Sequence, residues 1–139
     1  MAESLVVRTL LFRLERAVYG CDIGLVREIV PQRQATRLPG TPPWVNGLVN
    51  LRGTMLTVID LGMRLERDAT PTTEGSIILI EAEGRRLGVV VRDVMDVTPL
   101  TVEPPPEDRP DEVVLGLGHL GPTVVIVIDI RALMRQVLL

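Results

Sequence analysis

The chain carries one passage twice. Gly47-Leu48-Val49-Asn50-Leu51-Arg52-Gly53 runs into Thr54-Met55-Leu56-Thr57-Val58-Ile59-Asp60-Leu61, and Gly116-Leu117-Gly118-His119-Leu120-Gly121-Pro122 runs into Thr123-Val124-Val125-Ile126-Val127-Ile128-Asp129-Ile130. Each copy reads as strand, tight turn, buried strand, aspartate and helix start. The likeness reaches further back, because Gly20 to Asp60 parallels Gly88 to Asp129, and Val26-Arg27-Glu28-Ile29 parallels Val91-Arg92-Asp93-Val94. A period of roughly 68 residues is too long for a solenoid unit and fits two related halves. Each half offers about five short strands, few helices and closely spaced turns, the pattern of small barrels. A half of that size is marginal by itself, so the halves are expected to pack together, with a groove between them as a natural binding place.

Composition supports a β fold and removes several function classes. Hydrophobic residues make up 46% of the 139 residues but aromatics only 2%, so the core is aliphatic, and its β-branched bias favours strands. One domain over residues 1–139 is expected, with a first barrel over roughly 1–70, a second over roughly 75–139, and room for exchange of terminal elements. The net charge is −3, which argues against a nucleic-acid partner. All 15 basic residues are arginine, which removes lysine-dependent chemistry such as a Walker A loop or a Schiff base. One cysteine and one histidine leave neither an internal disulfide nor a plausible zinc site. No cofactor and no metal are expected. The N-terminal residues lack signal-peptide character, and no apolar run is long enough to span a bilayer, so the cytoplasm without membrane insertion is the expected compartment.

Along the chain, Leu5–Leu14 reads as a strand with Leu10, Phe12 and Leu14 on one face, followed by a turn at Glu15-Arg16 and a second strand to Asp22. Leu25 to Val30 fits either a helical turn or a strand. Gln32–Pro43 is loop, and Leu61–Leu65 a short amphipathic stretch. The polar Glu66–Gly75 is the best candidate for a junction. Ser76–Glu81 is a strand whose Ile77-Ile78-Leu79-Ile80 run suggests burial on both faces. Glu83-Gly84 turns the chain into Arg85–Val91, which Asp93–Leu100 extends. The proline-rich Val102–Glu112 reads as a surface loop, and a helix covers roughly Ile130–Leu139.

Several residues invite a chemical role. Arg52 sits at a hairpin turn where Gly53 supplies a positive φ, and it is either a solubilising turn residue or a recognition group. Asn50 is open to the same two readings. Asp60 and Asp129 look like a carboxylate pair, but their positions at strand-to-helix junctions mark them as helix caps. His119 reads as a turn residue and Cys21 as a buried, inert thiol. Neither Ser4 nor Ser76 lies in a nucleophile elbow. The glycines of 116–121 precede a strand, so the dinucleotide reading fails. Val26, Ile29, Val45 and Val49 are either core or part of a shallow apolar patch beside Arg52 and Glu28.

Tyr19-Gly20-Cys21-Asp22-Ile23, Val26-Arg27-Glu28-Ile29, Gly47 through Gly53, Val58-Ile59-Asp60-Leu61 and Gly116-Leu117-Gly118 together resemble the CheW family of chemotaxis coupling proteins. The resemblance runs from about Leu5 to Leu139, with Asn50-Leu51-Arg52-Gly53 its strongest block. It implies two intertwined, pseudo-symmetric five-stranded SH3-like barrels with short helices and a C-terminal helix. It also implies a non-enzymatic adaptor that binds the regulatory domain of a CheA-type histidine kinase and the cytoplasmic hairpin tip of chemoreceptors, at receptor arrays inside the membrane. The receptor helix would lie between the barrels. Val26, Glu28, Gly47, Asn50 and Arg52, with Gly53 in the same turn, fall in or near that receptor-contact region. The short, proline-rich 102–112 segment departs from the family pattern. A related chemosensory system, such as type IV pilus or gliding motility, or another kinase, is the alternative setting.

Overall fold

A computed structural model describes residues 5–106 and 111–138. Ser4, the centre of the proline-rich loop and the last residue of the expected C-terminal helix lie outside them. In chain order the elements are β1 (Leu5–Arg13), β2 (Val18–Asp22), a 3-10 turn (Ile23–Leu25), β3 (Val26–Pro31), β4 (Val45–Leu51), β5 (Thr54–Asp60), α1 (Leu61–Leu65), β6 (Ser76–Ala82), β7 (Arg85–Val91), β8 (Asp93–Val102), β9 (Val114–Leu120), β10 (Thr123–Ile128) and α2 (Ile130–Val137). The ambiguous Leu25–Val30 stretch is thus both things in turn, the end of a helical turn and then a strand.

The strands form two five-stranded sheets in the orders β8-β1-β2-β10-β9 and β3-β6-β7-β5-β4. Substituting each strand by its counterpart in the repeat converts one order into the other, so β1 answers to β6, β2 to β7, β3 to β8, β4 to β9 and β5 to β10. In both sheets the inner pairing is parallel, β10 with β2 and β5 with β7, and the hairpin pairings are antiparallel. Each sheet therefore takes two strands from one repeat and three from the other. The junction near 70–75 divides the repeats but not the sheets: the second compact unit consists of 26–93 with 14–16, and the first is drawn from the chain on either side. β8 does not extend β7, as the sequence suggests, but leaves that sheet and pairs beside β1.

Each sheet closes on itself through one isolated bridge between its outermost strands. Thr36, beyond β3, exchanges two backbone bonds with Leu48 in β4 at 2.8 and 2.9 Å, and Glu103, beyond β8, exchanges two with Leu117 in β9 at 2.9 and 2.8 Å. Closure removes most of the exposed edge that an open sheet would present. It also explains two glycines of the repeat. A Cβ on Gly47 would lie 1.9 Å from the Thr36 carbonyl oxygen, and one on Gly116 would lie 2.1 Å from that of Glu103. The reading of 102–112 as loop from its first residue gives way here, since Val102 is buried in the core and Glu103 closes the sheet.

Each unit has its own aliphatic core. Val30, Val49, Leu51, Leu56, Val58, Ile77, Leu79 and Val90 cluster in the second, and Val7, Leu11, Val18, Leu100, Val102, Val125 and Val127 in the first. Ile77 to Ile80 are all buried, as their unbroken apolar run indicates. β1 departs from a one-faced reading: Thr9, Leu10, Leu11 and Phe12 are all buried, and Thr9 satisfies its hydroxyl by donating to the Val7 carbonyl at 2.8 Å. Glu66–Gly75 is a firmly tied strap. The Glu66 carboxylate accepts the Arg16 backbone N–H, Glu15 accepts from Thr70 and Arg92, and Gln32 bonds both Thr72 and Gly75.

Candidate partner-binding surface

The β4–β5 hairpin puts Arg52 and Gly53 at the two central positions of its turn. Both have left-handed backbones, with φ of 51° and 83°, the conformation of a type I′ turn that matches the twist of the flanking strands. Glycine takes this at no cost, while arginine bears a steric penalty. Asn50 pre-sets the turn by accepting the Gly53 N–H on its side-chain oxygen at 2.8 Å. The local sequence thus fixes the direction in which Arg52 leaves the barrel.

β3 supplies the other half of the site. A register shift between Val26 and Glu28 re-aims the strand against β6, leaving Glu28 opposite Leu79. The Arg52 guanidinium grips the Glu28 carboxylate with both terminal nitrogens, Nη1 on Oε1 and Nη2 on Oε2, the latter at 2.8 Å. Arg52 remains 71% exposed while Glu28 is 28% exposed, so the carboxylate anchors and the guanidinium is presented. The Arg52 hydrogen bond holds the Glu28 carboxyl below its ordinary 4.5, with smaller contributions from the Arg52 and Arg33 charges. The same bond raises Arg52.

The pair stands over a pocket of about 120 Å³. Its floor is Leu51, Leu56 and Leu79 from the second core, and its rim holds Glu28, Arg52, Thr54 and Arg86. Arg86 and its partner Glu81 were not singled out by the sequence reading. They face each other across the β6–β7 hairpin, with Arg86 Nε donating to Glu81 at 3.1 Å and Arg27 Nε 3.4 Å from the same oxygen. Counting outward from the Glu83-Gly84 turn would have paired them.

Among the residues expected at the contact, Glu28, Asn50, Arg52 and Gly53 come together at this turn. Val26 is half-buried on β3 at the register shift, and Gly47 is buried at the sheet closure, where it offers a partner no side chain. The apolar four divide: Val45 and Val49 belong to the core, whereas Val26 is half-buried and Ile29 is exposed. In the second hairpin His119 takes the register position of Asn50, opposite Val124 as Asn50 is opposite Met55, and Gly121 stands where Arg52 does. His119 is an exposed strand residue rather than a turn residue.

The remaining candidates are structural. Asp60 accepts the Met63 N–H at 3.3 Å and Asp129 the Ala132 N–H at 3.1 Å, each capping its helix. Asp60 also accepts the Thr72 N–H at 2.8 Å, which pins the strap. Burial, aided by Asp22, pushes the Cys21 thiol up to about 12, so it is no nucleophile. Among the described residues no group of three or more His, Cys, Asp or Glu is placed to hold a metal ion, and no helix is long and apolar enough to cross a membrane.

The profile of the CheW-like domain matches residues 8–138. The chain belongs to the CheW-like family. The chemotaxis protein CheW of Klebsiella aerogenes is 36% identical over 134 residues, covering 91% of this chain and 81% of that protein. The probable chemotaxis protein CheW of Rhizobium etli is 30% identical over 132 residues, covering 90% and 85%. The crystal structure of the scaffolding protein TtCheW from Thermoanaerobacter tengcongensis superposes with a TM-score of 0.77 at 29% identity, covering 93% of this chain and 90% of that one. The CheW-like fold, two five-stranded barrel-like sheets with few helices, is thus the architecture expected from the repeated hairpin.

Proposed function

We propose that this protein is a non-enzymatic cytoplasmic adaptor that couples the cytoplasmic tip of chemoreceptors to the regulatory domain of a CheA-type histidine kinase. Its mechanism is binding alone: receptor and kinase are held in one array, so that a shift in the receptor alters the kinase without any bond being made or broken here. The observation that carries the reading is the Arg52–Glu28 pair within the matched CheW-like domain, a guanidinium mostly in solvent yet fixed by a bidentate partner and a pre-set turn. Held this way, a side chain loses little freedom on meeting a receptor carboxylate or carbonyl. Glu28 is the positioning group, and Asn50 and Gly53 shape the turn.

The test is an Arg52→Asp variant titrated against a purified receptor-tip fragment, with far-UV circular dichroism and thermal melting as fold controls. The expected result is receptor binding weakened about tenfold or more at unchanged melting temperature. Unchanged affinity in a folded Arg52→Asp protein would remove Arg52 from the contact.

A further inference from the structure

A second concavity on the unit built from 26–93 shares no lining residue with the Arg52 pocket. It is a groove of about 490 Å³ with an apolar floor of Ala35, Pro43, Met63 and Pro71 and two arginines, Arg33 and Arg37, in its wall. No aspartate or glutamate lines it. Of the acids near it, Asp60 is buried and engaged by Met63 and Thr72, and both oxygens of Glu28 are held by Arg52, with the Arg33 charge a smaller influence on that carboxylate. Among the described residues neither Arg33 nor Arg37 stands in an ion pair, and both are exposed. The sequence sharpens this: from Ile29 to Ile59 the chain holds Arg33, Arg37 and Arg52 and no acidic residue, in a protein whose net charge is −3.

The groove is also built. Gln32 ties its two walls, donating through Nε2 to the Thr72 carbonyl at 2.7 Å and accepting the Gly75 N–H at 2.8 Å, while its own N–H donates to the Gly75 carbonyl at 2.9 Å. The backbone pair between Thr36 and Leu48 fixes the Arg33–Arg37 segment from the other side. Two forked cations outside any ion pair, beside apolar side chains, complement carboxylates spaced along a chain whose intervening side chains are aliphatic. A nucleic acid would want stacking aromatics and a longer basic track, and no aromatic lines the groove.

We propose that this groove docks an acidic, aliphatic-bearing segment of a partner protein, with its carboxylates on Arg33 and Arg37 and its apolar side chains on Ala35, Met63 and the flanking prolines. This is a separate docking surface from the Arg52 turn, and it does not depend on the identity of the receptor or kinase.

The experiment uses the full chain and a short fluorescein-labelled peptide of alternating Glu and Leu, followed by anisotropy, with a Gln/Leu peptide as the uncharged counterpart. The wild-type protein is expected to bind the Glu/Leu peptide, less tightly as salt rises, and to bind the Gln/Leu peptide at least about tenfold more weakly. The double variant Arg33→Glu, Arg37→Glu should weaken the Glu/Leu peptide about tenfold or more, whereas Arg8→Glu, on β1 in the other unit, should change it by less than about twofold. Amide shifts on peptide addition should centre on Ala35, Met63 and Thr73. Arg52→Asp should leave the titration unchanged, so loss of the receptor reading and loss of this one are told apart. The proposal is overturned if the wild type does not bind the peptide, if Arg8→Glu weakens it as much as the double variant, if the Gln/Leu peptide binds equally, or if single-stranded DNA displaces the peptide from the groove at lower concentration.

Discussion

Arg52 occupies a backbone conformation that disfavours it. A non-glycine residue in the left-handed region costs on the order of 1 kcal/mol, and the preferred residues of a type I′ turn are Asn and Gly. Retaining arginine there trades stability for a presented guanidinium, so a single substitution tests the proposed contact apart from the fold. Arg52→Gly is expected to leave the protein as stable or more stable, by up to about 1 kcal/mol in chemical denaturation, while the proposed receptor binding is expected to weaken as predicted for Arg52→Asp. The pair also has a defined pH sense. Its carboxyl is lowered in the folded protein, so what the pair contributes is present above the ordinary value of 4.5 and is lost as pH falls through the lower folded value. An NMR titration of the Glu28 carboxyl should therefore show a midpoint under 4.5 that rises toward it in Arg52→Ala.

At the scale of elements the two halves are not equal despite their common pattern. Asp129 caps α2 through the Ala132 N–H, whereas Asp60 caps α1 and also receives the strap through Thr72. Losing an N-cap costs about 1 kcal/mol, and leaving a buried N–H without its acceptor adds about 1–3 kcal/mol. Asp129→Ala should thus destabilise by about 1 kcal/mol and Asp60→Ala by about 2–4 kcal/mol, measured by urea denaturation of both variants. Similar losses would show that the strap does not rely on Asp60. The segment 66–75, read from its polar composition as a junction, separates the two repeats as a tied strap. The Glu66 and Thr70 side chains and the Thr72 and Gly75 backbone groups bond Glu15, Arg16, Gln32, Asp60 and Arg92, which lie up to 55 residues away in sequence, and no local pattern reports partners so distant.

At the scale of the molecule the organising fact is exchange. Each sheet needs β1 and β2 with β8, β9 and β10, or β6 and β7 with β3, β4 and β5. Neither repeat contains a complete sheet, although each contains a full set of strand types. Fragments 1–72 and 73–139, expressed separately, are expected to lack native near-UV and NMR signatures and to recover them on mixing at equal concentration. A fragment that folds alone to the native spectrum would show that the exchange is dispensable.

The repeated hairpin, the aliphatic strands, the capping aspartates and the Arg52-Gly53 turn were legible in the chain, because each depends on neighbours a few residues apart: period-two burial, a tight turn's need for positive φ, a helix's free N–H groups. So was the CheW-like resemblance, which rests on the order of those local blocks. What the tertiary structure alone decided is everything that pairs between segments not adjacent in the sequence. β8 pairs beside β1 rather than continuing β7. Gly47 and Gly116 are bare because another strand's carbonyl fills their space. Glu28 meets Arg52, and Arg33 and Arg37 line a groove whose other lining residues include no acid. Sequence carries side-chain preference along one dimension. Which strand lies next to which is settled by closing two small barrels, whose hydrogen bonds and buried area reward pairings at long sequence separation that no single stretch of residues encodes.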